Sequence, residues 1–189
     1  MLVQARGLAH HGHVTRLFVA VHPPLAIATD LLATLDGLDL PDHRLTRPDQ
    51  IHLTVLFVGE VDERDVPLVA ESVERAAAGV RAFELAPDGW MALPERGPSR
   101  LIAAGAQAPS ALAELHRRLA ARLVVKGRKP RSFLPHLTLC RFTRPTPFEL
   151  SAPFPGVAPF EIGEVSLMRS VLRPEGAEHR QVARFALAV

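Results

Sequence analysis

The feature that most constrains this chain is a tetrapeptide that occurs twice. His52-Leu53-Thr54-Val55 and His136-Leu137-Thr138-Leu139 stand 84 residues apart in a chain of 189. Each lies in a run of branched and aliphatic residues that reads as a strand, IHLTVLFVG and PHLTLCRF, and each follows a helix and a loop. Side chains alternate across a strand, so His52 and Thr54 share one face, as do His136 and Thr138, with aliphatic residues on the other. Burying such a polar pair without partners is costly. The repeat therefore predicts two similar lobes whose equivalent strands lie together at a pseudo-twofold axis. Between them a wet cleft receives two imidazoles and two hydroxyls from opposite sides. One copy per half is too few for a solenoid.

The rest of the chain supplies a mixed α and β frame. Thr15–Val21 reads as a buried strand, and the helix after Pro23-Pro24 runs to about Leu35. Asp62 and Asp65 open a second helix that reaches Ala78. Residues 82–106 read as short strands broken at 87–89 and 94–98. A third helix starts near Pro109-Ser110, with Leu112, Leu115, Leu119 and Leu123 at helical spacing. Strands near Val165–Leu172 and Val182–Val189 form a closing hairpin across Pro174–Gly176. Residues 1–14 read as a flexible N-terminal extension and residues 15–189 as one domain. With 48% hydrophobic residues the chain has enough apolar surface for a core, and it has too few clean β-α-β repeats for a doubly wound sheet. No apolar run is long enough to span a membrane, and the first residues lack the apolar centre of a signal peptide. A single cysteine, Cys140, excludes an internal disulfide and any multi-thiolate metal site. A cytoplasmic protein is expected.

Two opposed histidines are the minimum equipment for acid–base cleavage of a phosphodiester. The neutral one takes a proton from the nucleophile, and the protonated one gives a proton to the leaving oxygen. The threonine hydroxyls donate to the nonbridging oxygens, where negative charge builds in the transition state. This chemistry requires no metal and no cofactor.

Taken together, IHLTVLFVGE (51–60) and RSFLPHLTLCR (131–141) resemble the paired motifs of the 2H phosphoesterase superfamily. Within it the chain is most similar to the LigT-like RNA 2′,3′-cyclic phosphodiesterases (ThpR type). The likeness extends to RLFVAV near the start and LMRSVLRPEGAEHRQVARFAL at the end. It implies an α+β, bilobal pseudo-twofold fold in which two antiparallel sheets form a central cleft with helices outside. It also implies water-driven opening of a ribose 2′,3′-cyclic phosphate, with expulsion of O3′ and a 2′-phosphate as product. By matching position, His52 and His136 are the catalytic pair, and Thr54 and Thr138 hold the phosphate. We assign His52 as the acid at O3′ and His136 as the base on water. Arg141 matches an arginine that contacts the substrate phosphate. Strand parity sets it opposite His136, so that role requires the strand to end or twist after Cys140. Phe133 matches an aromatic that packs on a base or braces its loop. Leu45 stands where relatives often carry a tryptophan, so no aromatic platform is expected on that side. The implied partners are RNA ends or nucleotides bearing a 2′,3′-cyclic phosphate, handled by a monomer away from membranes. Two other readings stay open: a different 2H chemistry (cyclic-nucleotide or 2′-5′ hydrolysis, or reversible 2′-5′ ligation), and a non-catalytic module that binds RNA ends.

The net charge of +2 hides an asymmetry. Between Glu114 and Glu149 there is no acidic residue but nine basic ones, among them Lys126, Arg128, Lys129 and Arg131 just before the second motif. These predict RNA tracking over the second lobe. His10, His11 and His13 read as a surface tail. His43, Arg44 and Arg47 read equally well as cleft lining or as a plain loop. His116 reads as a boundary residue, Cys140 as a small core or cleft-edge residue and Trp90 as a packing anchor, while His22 and His179 carry no signal beyond position.

Overall fold

The computed structural model describes residues 13–123, 133–173 and 176–189. In chain order these form β1 (Val14–Val21), α1 (Leu25–Ala33), β2 (His43–Leu45), β3 (Leu53–Asp62), α2 (Val66–Ala77), β4 (Phe83–Leu85), β5 (Pro87–Leu93), β6 (Ser99–Ala106), α3 (Ser110–Leu123), β7 (His136–Thr146), β8 (Phe160–Ile162), β9 (Glu164–Arg173) and β10 (Gly176–Ala186). The expected elements are present. The strands mostly run longer than the apolar runs suggest, because ladder pairing carries β7 to Thr146 and β3 to Asp62. The first strand begins at Val14, inside the stretch expected to be an extension.

The main sheet is antiparallel and consists of two halves. One has the order β10-β9-β1-β3, and the other β7-β6-β5 with the short β2 beside β7. They meet through one register pair, Leu53 on β3 against Leu137 on β7. This is the pseudo-twofold point predicted by the repeated tetrapeptide. Both leucines are 0% exposed, and burying each contributes roughly 1.5–3 kcal/mol. A second, two-stranded sheet pairs β4 with β8.

Alternation along each strand sorts the residues into two layers. Leu17, Val19 and Val21 of β1 point into the main core with Leu53 and Val55. The helices cover that face: α3 packs on β3, α2 on α3, and α2 also on β9 and β10. In α2, Val69, Val73 and Ala76 recur at helical spacing and are buried, and in α3 the same is true of Leu112, Leu115 and Leu119. On the opposite face Phe18 and Ala20 meet Met168 in a separate small cluster. That uncovered face carries the groove. No helix among the described residues is long and apolar enough to cross a membrane.

Candidate active site

The motif histidines sit where their strands start. His52 immediately precedes β3 and His136 opens β7. Each imidazole is tied to the backbone two residues earlier: His52 Nδ1 lies 2.7 Å from the Gln50 carbonyl oxygen, and His136 Nδ1 lies 2.8 Å from that of Leu134. A carbonyl only accepts, so Nδ1 carries the hydrogen in both rings and Nε2 is left as the reactive atom. The two histidines, Thr54 and Thr138 line one groove of about 1380 Å³. Among the described residues no group of three or more histidine, cysteine or carboxylate side chains converges as a metal site.

Arg141 lines the same groove, although strict alternation from His136 would turn it away. The physical reason is a β-bulge. Thr138 pairs with Ala103 and Cys140 with Ile102, which leaves Leu139 as an extra residue on β7. The bulge reverses the alternation. Leu139 and Cys140 are both fully buried, and Arg141 comes round to the face of His136 and Thr138. Cys140 is therefore a core residue.

The first motif contains the same device. Ala20 pairs with Thr54 and Val19 with Leu56, so Val55 is the extra residue on β3. The side chain brought into the groove is Phe57, 72% exposed and 6.1 Å from the Phe18 ring. Phe57 and Arg141 each stand five residues beyond a motif histidine, so aligning the two repeats past the tetrapeptide finds both. A second bulge at Val58, followed by Gly59 at φ +99°, restores the alternation and places Glu60 opposite Arg16.

The surroundings of the two histidines differ. His52 is half-buried against Phe18 at 5.0 Å, His179 at 5.0 Å and His22 at 5.9 Å between ring centroids. Burial, the main cause, with the charges of His179, His22 and Arg141 added, lowers its pKa to about 3, while the Gln50 carbonyl pulls the other way. His22 and His179 are lowered as well, chiefly by burial. Gln50 holds this cluster together. Its side-chain oxygen accepts from the His179 backbone N–H at 2.8 Å, and its Nε2 donates to the His179 carbonyl at 3.3 Å. That clasp joins positions 129 residues apart, beyond the reach of any local pattern.

Other expected contacts fall elsewhere. Phe133 stacks on His116 of α3 with centroids 4.4 Å apart and planes 8° from parallel, so it braces the approach to β7 and is not among the groove-lining residues. Leu45 and Arg44 of β2 do line the groove, whereas His43 bonds to the Pro41 carbonyl outside it. Trp90 packs edge-on against Phe154, in the anchoring role expected. Lys126, Arg128, Lys129, Arg131, His10, His11, Pro174 and Glu175 lie outside the described residues.

Comparison with known proteins agrees with this geometry. A family model described as the 2′-5′ RNA ligase superfamily matches residues 23–172. A Methanothermobacter thermautotrophicus protein named RNA 2′,3′-cyclic phosphodiesterase is 28% identical over 181 residues, covering 91% of this chain and 98% of its own length. A Thermus thermophilus protein of the same name is 29% identical, covering 91% and 90%. Among solved structures, one from Thermus thermophilus superposes with a TM-score of 0.77 at 28% identity, covering 91% of this chain and 97% of its own. Escherichia coli LigT complexed with 3′-AMP superposes at 0.80 with 23% identity, a likeness of fold that covers 94% and 100% of the two chains. With the family matched over most of its length and its paired motifs facing one groove, the chain belongs to the 2′-5′ RNA ligase superfamily, the 2H phosphoesterases.

Proposed function

We infer that this protein hydrolyses 2′,3′-cyclic phosphates at RNA ends, opening the ring with water to leave a 2′-phosphate and a free 3′-hydroxyl. One observation carries the reading. Two imidazoles, each with Nδ1 committed to its own backbone and Nε2 free, share a single groove with a threonine hydroxyl two residues beyond each. A module that only bound RNA ends would need no such acid–base pair. The similarly sized relatives named RNA 2′,3′-cyclic phosphodiesterase support the same substrate class.

The surroundings of His52 favour the reverse of the assignment made from sequence. Burial keeps the His52 imidazole neutral, the form that accepts a proton, and the negative charge of a bound phosphate raises its pKa back toward the range a base needs. In this reading His52 Nε2 takes a proton from water, and the water oxygen forms a bond to phosphorus. The P–O3′ bond breaks, and protonated His136 delivers its proton to O3′. Thr54, Thr138 and Arg141 hold the nonbridging oxygens as charge develops on them. The exposed ring of Phe57 gives the base an apolar surface on which to stack. Both histidines and both threonines come to the groove from one chain, which supports a monomer.

Incubating the purified protein with adenosine 2′,3′-cyclic phosphate in EDTA, with phosphorus NMR of the product, tests the reading. A 2′-phosphate is expected, with loss of turnover on His52→Ala or His136→Ala. A 3′-phosphate product, or full turnover by the doubly substituted protein, would overturn it. A 2′-5′-linked product formed with an added 5′-hydroxyl oligonucleotide would reveal the same displacement with that hydroxyl in place of water.

A further inference from the structure

Two cations in the groove have no partner among the described residues. Arg16 is bound to Glu60 across β1 and β3 at 3.0 Å, and Arg47 to Asp49 at 2.7 Å. Within that same set of residues, Arg44 and Arg141 have neither a side-chain hydrogen bond nor an ion pair. They are also register partners, directly opposite on the antiparallel pair of β2 and β7. Directly opposed residues project to the same face, and like charges there repel. A charged cross-strand pair in the other half, Arg16 against Glu60, is by contrast neutralised within itself. An anion supplied by a ligand would relieve the Arg44–Arg141 repulsion in the same way.

The charge count indicates how much anion is needed. A cyclic phosphate carries one negative charge, and Arg141, three residues past Thr138 on the groove face, answers it. Arg44 is then in excess by one. The groove, about 1380 Å³, also exceeds the roughly 300–1,000 Å³ usual for a single small ligand. Its apolar wall at Phe57 belongs to β3, while Arg44 lies at the outer edge of the opposite half on β2. A terminal nucleotide stacked at Phe57 with its cyclic phosphate between the histidines has its next backbone phosphate to place.

We propose that Arg44, set against Arg141 on β2, is a subsite for the phosphate on the 5′ side of the terminal nucleotide. This rests on the cyclic phosphodiesterase reading and adds a specificity-determining residue to it. A bridging phosphodiester and a terminal 5′-phosphate present the same chemistry to Arg44, and the test separates them.

Values of kcat/KM are measured for three probes: adenosine 2′,3′-cyclic phosphate, its 5′-phosphorylated form, and the dinucleotide ApA ending in a 2′,3′-cyclic phosphate. The native protein is expected to prefer the second and third over the first. Arg44→Ala lowers those two preferences about tenfold, the scale of one charge-assisted contact, and Arg44→Lys retains part of them. A native preference for the dinucleotide alone, lost in Arg44→Ala, would assign the subsite to the bridging phosphodiester. The slope of log(kcat/KM) against log salt for the dinucleotide falls by about 0.7 in Arg44→Ala, as for one lost phosphate contact on a single strand. Equal loss on all three probes would place Arg44 at the reacting phosphate and overturn the proposal, as would unchanged preferences. Failure of the native protein to turn over any probe would overturn the underlying reading along with it.

Discussion

The two halves of the groove are built from the same four-residue pattern, yet they hold their histidines in different environments. His52 and His136 make the same bond to a carbonyl two residues back, and each is followed by a bulge after its threonine. Around His52 the chain gathers Phe18, His22 and His179. The strand that His136 opens carries Arg141 and, across from it on β2, Arg44, and the charge of Arg141 also reaches His52. Equivalent local sequence therefore fixes geometry, while the packed neighbours set charge and polarity. One half offers a desolvated imidazole beside an aromatic wall, and the other adds two arginines that have no partner among the described residues. An asymmetric substrate, with a base on one side and phosphates on the other, fits that division of labour.

The comparison breaks most visibly at the histidines. His52→Ala and His136→Ala should each lower kcat by about 10²–10⁴-fold, and the double substitution should cost much less than the product, because the pair acts as a unit. Independent, multiplying effects in a steady-state assay would argue against a shared step. Next come the hydroxyls. Thr54→Val and Thr138→Val should each cost roughly 10-fold or more in kcat with a smaller change in KM, since they serve charge that appears in the transition state.

A third prediction separates the halves by their response to acid. The pKa of His52 is lower in the folded protein than in the unfolded chain, so below about pH 6.5 the unfolded chain binds the proton more readily. The stability this confers is full above pH 6.5 and is lost as pH falls toward 3. Urea unfolding between those limits should lose up to a few kcal/mol that a His52→Gln protein does not lose. A parallel slope in both proteins would deny His52 its special environment.

The smallest expected effect concerns His179. Replacing it with alanine removes a neighbouring charge and some burial, so the His52 pKa should rise. The acidic limb of the kcat/KM profile should move upward with it, and an unmoved limb would show that His179 does not tune His52.

Much of this site is legible in the sequence, for identifiable reasons. A polar pair at spacing two within an apolar run forces a strand with one wet face, and two such runs force a shared groove. The leucines behind the histidines, Leu53 and Leu137, had to meet in a core. Arg141 shows where alternation by itself misleads, since the bulge at Leu139 is a property of the β6–β7 pairing and has no marker in β7 itself. Phe57 was recoverable, being the fifth residue after its histidine just as Arg141 is. Phe133, an expected RNA contact, proves to be held by His116, a partner 17 residues earlier on another element.

By itself, then, the sequence determined the strands, the helical faces, the pairing of the motifs and the chemistry of two imidazoles with two hydroxyls. These follow from periodicity and side-chain type, which act over a few residues. Only the tertiary structure decided which histidine is desolvated, which groove arginines have no partner among the described residues and which aromatic faces the groove. Each of those depends on residues far apart in the chain, such as Gln50 and His179, brought into contact by strand pairing and by the exclusion of water from a shared core.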